Sequence, residues 1–421
     1  GASFRAPAGS CWPPMGSTSI QFGYASALDG DRLAVGAIAT DPGGLDGRGT
    51  VYVFEWDGTS WQEVQVLAPS DQVSGLFFGR CLALQGDTLV VGASGESSLE
   101  SRNGAVYIFE HDGTEFVEVQ KLLPTVPQVD GYFGWDVDLD GDVIVVGEIQ
   151  NSGVFPPIYY GAVHFFRRTG GVWNLELRDV PSSFVDLGAL AGYSVAIEGD
   201  WAVVGAYFAD TAVIDSGAAL VYRQEMGQWS VDQVLSGSAS EPADFFGRGV
   251  AISGDKIVVG SPEADDPLSS VGAIYEYTLI GSDWVQTARF LPSGSAVEPE
   301  LGRDVAVSDG IIVGRAYEYD FFAAEAYEWV HIFEATGGED CNGNGISDLC
   351  EIAEGLAEDL DQDGVPDECS PVVAGIFRRG DCNDDGQVDI GDAVRELEHL
   401  FIPDAVSGPP SCDDACDSND D

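Results

Sequence analysis

The segment DCNGNGISDLCE, Asp340 to Glu351, carries oxygen-bearing side chains at its first, third, fifth, ninth and twelfth positions and glycine at its sixth. Asp340, Asn342 and Asn344 would supply three oxygens, the carbonyl of Ile346 a fourth, Asp348 a fifth through water and Glu351 a bidentate carboxylate, with Gly345 at the sharp turn. An all-oxygen set at this spacing suits Ca²⁺. A second segment offers Asp359, Asp361, Asp363, the carbonyl of Val365 and Asp367, but Ser370 at its twelfth position lacks a carboxylate. A third offers Asp381, Asn383, Asp385, the carbonyl of Gln387, Asp389 and Asp392 around Gly386. Val394, Leu397, Leu400 and Phe401 follow it on one face of an expected helix. Three calcium sites are therefore expected. A further half-loop, Asp417, Asn419 and Asp421, reaches only its fifth position and is not expected to hold metal alone.

The charge balance fits cation binding and excludes other partners. The 421 residues carry 71 Asp and Glu against 18 Lys and Arg, a formal net charge of −53. Nucleic acid and anionic membrane surfaces both require clustered cations, so neither is expected as a partner. Residues 339–421 hold 24 of the acidic residues and only three basic ones, Arg378, Arg379 and Arg395. Six of the eight cysteines (Cys341, Cys350, Cys369, Cys382, Cys412 and Cys416) crowd into the same segment, as in small disulfide-held domains outside the cell. Six cysteines allow 15 pairings, and Cys11 and Cys81 remain for each other. No apolar run is long enough to span a membrane. The opening GASFRAPAGS fits a mature chain whose signal peptide has been removed.

Upstream of the acidic segment the chain repeats. FGYASALDGDRLAVGA from Phe22 is echoed from Phe78, Phe133, Ala191, Phe246 and Leu301, with spacings of 56, 55, 58, 55 and 55 residues between Gly23, Gly79, Gly134, Gly192, Gly247 and Gly302. Each unit reads as four strands. The first alternates small and apolar residues and ends at a tight turn such as Gly199-Asp200. The second is a continuous apolar run such as LVVGA, expected to be buried on both faces. The third and fourth, such as VYVFE and WQEVQVL, are joined by hairpins containing Asp57-Gly58 or Asp112-Gly113. Four-stranded antiparallel units at a fixed period predict an all-β fold, a β-propeller of six blades rather than seven, followed by a small calcium-loop and helical tail. The expected boundaries are 1–20 for an N-terminal segment, 21–338 for the propeller, 339–370 for calcium repeats and 371–421 for the last module.

Trp61, Phe116, Trp173, Trp229 and Trp284, which open the fourth strands, are expected between blades as core. The sixth repeat lacks a fourth strand before the acidic segment begins. Ser3–Ala6, which matches the ends of other fourth strands, is expected to supply it, either within the chain or to a neighbouring molecule.

The repeats from Phe22 to Glu334 resemble the FG-GAP repeats of integrin α-subunit propellers, and more closely those of secreted bacterial repeat proteins. Calcium-binding integrin blades carry an extended acidic loop in the first hairpin; here that hairpin is two or three residues long, so the resemblance does not bring metal to the blades. The segment from Asp359 resembles a thrombospondin type 3 repeat. The cysteine-flanked pair of loops resembles repeats in secreted proteins of planctomycete-like bacteria. The loop from Asp381 with its following helix resembles half of a dockerin. Arg379-Gly380-Asp381 spells a known integrin-ligand tripeptide, but Asp381 is needed as a calcium ligand.

Catalytic constellations are not evident. His164 and His331 align with Tyr52 and Tyr107 as third-strand packing residues, and no nucleophile elbow, zinc helix or phosphate loop occurs. An acidic residue follows each apolar second strand, at Asp41, Glu96, Glu148, Asp210, Asp265 and Asp320, and these are the candidate residues of a propeller face. The expected function is that of a non-enzymatic, extracellular or cell-surface bacterial protein, stabilised by Ca²⁺. It would adhere to protein partners or assemble with itself through the acidic tail or the N-terminal strand, possible filaments included. The alternative is a lectin or polysaccharide-active enzyme using the propeller face.

Overall fold

Alternating small and apolar residues give way at a two-residue turn to a wholly apolar strand, and this pattern forms the first two strands of every blade. The computed structural model describes Phe22–Glu334, apart from 39–46, 72–74, 150–159, 186–187, 212, 239–240, 267–268, 293–299, 309 and 321–324, together with Phe377–Arg378. Within these residues the fold is all-β, a six-bladed β-propeller of four-stranded antiparallel blades, with no helix. The first blade comprises Phe22–Asp29, Arg32–Ala37, Thr50–Trp56 and Trp61–Leu67; the second comprises Phe78–Gln85, Thr88–Ala93, Ala105–His111 and Phe116–Leu122. The third comprises Phe133–Asp140, Val143–Glu148, Ala162–Thr169 and Val172–Asp179, and the fourth Val195–Glu198, Trp201–Ala206, Ala218–Glu225 and Gln228–Leu235. The fifth comprises Val250–Ser253, Lys256–Ser261, Ala273–Ile280 and Asp283–Phe290. The sixth comprises Asp304–Ser308, Ile311–Asp320 and Glu325–Glu334, and Phe377–Arg378 is a further two-residue strand. Sequence order is sheet order throughout these blades. The expected closing strand Ser3–Ala6 lies outside the described residues.

The chain forms two compact units, one built on the first three blades and the other on the last three. In both, the core lies between neighbouring blades. In the first unit, Trp173 and Phe166 of blade three pack with Val90, Val106, Ile108 and Leu122 of blade two. In the second, Trp284 packs with Val203, Val221 and Leu235 of blade four, and its ring meets Trp201 edge-on at 5.5 Å. Phe116, Trp173 and Trp284 are thus inter-blade core, as their recurrence predicts, with Trp173 and Trp284 each 2% exposed, whereas Trp61 packs with Val35 and Phe54 of its own blade. The second strands Thr88–Ala93, Val143–Glu148 and Lys256–Ser261 are buried at every position.

Three contacts recur where blades meet. At one, the N–H of the residue before the first glycine of the second to sixth repeats bonds to a carbonyl of the preceding blade, as in Phe78 to Arg48 at 3.0 Å, Phe133 to Asn103 at 3.0 Å and Phe246 to Ser216 at 3.1 Å. The next residue of that preceding blade is always glycine, held as a parallel bridge partner (Gly49↔Phe78, Gly104↔Phe133, Gly161↔Ala191, Gly217↔Phe246, Gly272↔Leu301). Gly104 sits at φ +84°, and a β-carbon there would fall on the carbonyl oxygen of Phe133. At the second, a side chain ending one first strand accepts from the turn glycine of the next blade: Asp29 from Gly86, Gln85 from Gly141, and Glu198 from Gly254, each at 2.6 Å.

The third contact is a glutamine clasp. Gln65 donates to the carbonyl of Phe116 at 2.8 Å and accepts from its N–H at 2.7 Å. Gln120 does the same to Trp173 at 2.8 and 2.9 Å, and Gln233 to Trp284 at 2.7 and 2.9 Å. In each case the ladder skips one residue just before the glutamine (Val64, Val119 and Asp232), a bulge that turns the amide toward the neighbouring blade. The first hairpin closes in two residues, as Glu198↔Trp201 around Gly199-Asp200 shows, leaving no room for an extended acidic loop.

Replacing Gly104 with alanine should therefore cost at least about 3 kcal/mol, since both the backbone angle and the space are denied. Gln120→Ala, which strands the N–H and carbonyl of Trp173, should cost about 1–3 kcal/mol. Urea denaturation of both variants checks these values; a Gly104→Ala protein as stable as the parent would refute the close-contact account.

Candidate functional site

Two of the sequence-predicted face residues, Glu96 and Glu148, are fully buried. Glu96 lies in the loop joining the second and third strands of blade two. Its Oε1 accepts from the N–H of Ser98 at 2.9 Å and from Lys121 at 3.0 Å, and its Oε2 from Asn103 at 3.2 Å. Asn103 uses its remaining capacity on Gly104 O and on the N–H groups of Leu99 and Glu100. Lys121 also pairs with Asp71, which accepts the Tyr107 hydroxyl at 2.5 Å. A buried carboxylate is tolerable only when paired and hydrogen-bonded in this way. Burial, reinforced by Asp71, pushes the Tyr107 phenol far above its ordinary range, and it remains neutral.

Blade three repeats the arrangement with different groups. His164, at the third-strand position of Tyr107, faces Glu148 with its Nε2 2.6 Å from Oε2, and Arg178, at the fourth-strand position of Lys121, lies 3.8 Å from the same oxygen. Phe133 meets His164 edge-on at 4.9 Å and Phe166 stacks on it. Burial holds His164 below the usual histidine range against the pull of Glu148. His331 occupies the matching place in blade six, stacked on Phe333, and burial lowers it to about 4. Both histidines are packing residues, as expected from their alignment.

Three further predicted face residues fall in the second unit. Asp210 is exposed and accepts the N–H of Asp215 at 2.6 Å, fixing its own loop. Asp265 lies in the two-residue strand paired with Ser269–Ser270, and Asp320 ends a strand. Asp41 lies outside the described residues, as do the three calcium loops, the following helix and all their ligands from Asp340 to Asp392. Among the described residues no group of three or more His, Cys, Asp or Glu is placed to hold a metal. Cys81, expected to pair with Cys11, is instead a free thiol: it is buried and its Sγ donates to the carbonyl of Gly134 at 3.3 Å, between blades.

A feature not read from the sequence lies at the residue after each Phe-Gly pair or its equivalent: Tyr24, Arg80, Trp135, Tyr193, Arg248 and Arg303. In the first unit, the Arg80 guanidinium carbon is 3.4 Å from the Trp135 ring centre and 5.6 Å from that of Tyr24, whose hydroxyl accepts from Nη1 at 2.9 Å. In the second, that of Arg248 lies 4.7 Å from the Tyr193 ring and 5.0 Å from Tyr207. Phe208 and Phe245 extend this cluster, with ring centres 5.0 Å apart and Tyr207–Phe208 at 4.3 Å. Burial first, then Tyr193, raises the Tyr207 phenol to about 12. The residue preceding the Phe-Gly position is held in the left-handed region in four repeats, at Phe77, Tyr132, Leu190 and Phe245 (φ 53°, 53°, 51° and 56°). The restriction of one repeat position to aromatic residues and arginine was the available signal.

A family model described as FG-GAP repeat matches residues 13–54, 61–109, 116–166, 191–222 and 229–277, together more than half of the chain. The chain belongs to the FG-GAP repeat family. Its Phe-Gly pairs and the glycines of its second strands are the residues that meet across blades. A β-carbon on Gly36 would strike the Gly79 carbonyl, and one on Gly260 that of Gly302. No curated protein matches the chain. Among solved structures, the periplasmic gluconolactonase of Pseudomonas aeruginosa is 14% identical with a TM-score of 0.43, covering 72% of this chain and 82% of that one. A GH74 xyloglucanase from Xanthomonas campestris is 12% identical with a TM-score of 0.45, covering 74% of this chain and 45% of that one. The β-propeller domain of the Trilobed protease from Pyrococcus furiosus is 10% identical with a TM-score of 0.42, covering 74% and 84%. Similarity at this level says nothing of activity.

The buried histidines make the FG-GAP blades acid-sensitive. An unfolded histidine takes up a proton near pH 6.5, whereas folded His331 does so only near pH 4. Protons are thus bound preferentially by the unfolded chain in this window, and stability falls as pH drops from 6.5 toward 4. His331→Phe should flatten that slope by about 2 kcal/mol between neutral pH and pH 4.5; urea titrations at both pH values measure it, and an unchanged slope would refute the assignment.

Proposed function

We propose that this FG-GAP protein is a secreted or cell-surface bacterial adhesion or structural protein, non-catalytic, with the propeller as a binding module and the acidic segment as a calcium-ordered stalk. One observation carries the reading: three successive segments, at Asp340, Asp359 and Asp381, each present oxygen ligands at calcium-loop spacing, two of them ending in a carboxylate, within the stretch that holds six of the eight cysteines. Bound Ca²⁺ would neutralise carboxylates that otherwise repel one another, and the thrombospondin-like and dockerin-like resemblances of those segments fit a module for attachment or assembly. The buried state of Glu96 and Glu148, each fixed by its own blade's partners, supports a structural use of these carboxylates. Partners would be proteins or further copies of the chain, joined through the acidic segment or the N-terminal strand.

A second reading, recognition of carbohydrate by the propeller, is favoured by one specific observation, the partly exposed aromatic rings around Arg80 and Arg248.

Calorimetric titration of the calcium-stripped protein should show three Ca²⁺ sites, and electron microscopy with Ca²⁺ and with EDTA should show whether assembly depends on the metal. Fewer than two sites would overturn the calcium-stalk reading; turnover of a polysaccharide by the purified protein would overturn the non-catalytic one.

A further inference from the structure

Cations are scarce in this chain, and nearly every described one has an acid. Arg32 bonds Asp87 and Glu55, Arg102 pairs with Asp130, Lys121 with Asp71 and Glu96, Arg168 with Glu110, Lys256 with Glu276, and Arg315 with Asp304. With 71 acidic residues available, an arginine without a carboxylate is unexpected. Arg248 is such a residue: its guanidinium lies against Tyr193 and Tyr207, and among the described residues its buried Nε has no hydrogen-bond partner and its side chain makes no ion pair. Arg80, at the same repeat position in the other unit, bonds a phenol rather than an acid.

A guanidinium held by ring contacts keeps its terminal N–H groups for a carboxylate, and those of Arg248 have no such partner among the described residues. Beside it, Phe208 and Phe245 are half-buried rings, the latter held at φ +56°. A flat apolar surface next to an uncommitted guanidinium matches a molecule that has a carboxylate on a ring with an apolar C–H face.

We infer that Arg248, with Tyr193, Tyr207, Phe208 and Phe245, forms a subsite for an acidic sugar residue, a uronate, of an extracellular polysaccharide. The guanidinium takes the carboxylate in a forked pair and the phenylalanine rings take the C–H face of the pyranose. This deepens the second reading above and is independent of the calcium stalk. With a net charge of −53 the chain repels polyanions at long range, so the subsite acts at contact distance and in screening medium such as salt water.

The full chain should be titrated calorimetrically, with calcium present, against tetraglucuronate and against its methyl ester, at roughly half-molar salt so that long-range repulsion is screened. The free acid should bind at least about tenfold more tightly than the ester, the size expected of one charge-assisted forked pair. Arg248→Met should remove that preference, and Arg248→Lys should restore only part of it. Phe208→Ala should weaken acid and ester alike, an independent check should the Arg248 variants fold poorly. Equal binding of acid and ester, no binding of either, or an Arg248→Met protein that keeps the preference would overturn the subsite. A glutamate pentapeptide bound as tightly as the sugar would overturn the sugar assignment. A negative result with three calcium sites intact would sink the subsite alone.

Discussion

Between blades two and three the backbone of one strand touches the backbone of another with no side chain in between. The Phe133 N–H bonds to the Asn103 carbonyl, and its own carbonyl fills the space where any residue but glycine at position 104 would put a β-carbon. Within each unit the same contact sets the spacing and tilt of neighbouring blades. The burial of Trp173 or Trp284, the reach of Gln120 or Gln233 and the capping of the turn glycines all presuppose it. A β-sheet edge is ordinarily a liability; here it is tied to its neighbour by paired side-chain amides and backbone hydrogen bonds.

How much of this could be read from residues alone follows from which contacts repeat. Phe-Gly and the glycine of each apolar second strand recur because backbone contact permits no substitute, so blade number, strand order and the burial of the fourth-strand aromatics were all legible in the spacing. Gln65, Gln120 and Gln233 were visible as letters but not as clasps, because a bulge one residue earlier decides where they point, and a bulge leaves no mark on an alternating pattern. Glu96 and Glu148 read as rim acids for a similar reason: their partners Lys121 and His164 are distant in sequence, and only pairing across the blade makes burial tolerable. The Cys11–Cys81 pairing rested on elimination, and elimination cannot see that Cys81 faces the Gly134 carbonyl between two blades.

Acidity of this degree constrains where the few cations can go. Lys121 and Arg178 stand at one repeat position beneath a tyrosine or histidine, each serving a carboxylate that has left water. Those placements secure the interior, while most of the described carboxylates remain at least partly exposed, where a cation-rich medium can screen them. In the calcium-stalk proposal, the loops at Asp340, Asp359 and Asp381 would apply the same chemistry with exchangeable ions instead of arginine and lysine.

A junction made of main chain asks almost nothing of the side chains around it. One blade need only offer glycine at the start of its third strand, and the next an N–H and a carbonyl, so repeats that share the glutamine clasp and the apolar inter-blade positions can follow one another. Such a chain can lengthen or shorten by whole units of about 56 residues without redesigning its interfaces, and each blade's outward residues can drift independently. The mixture of Tyr24, Arg80, Trp135, Tyr193, Arg248 and Arg303 at one place in a common framework is what duplication followed by separate histories would leave behind.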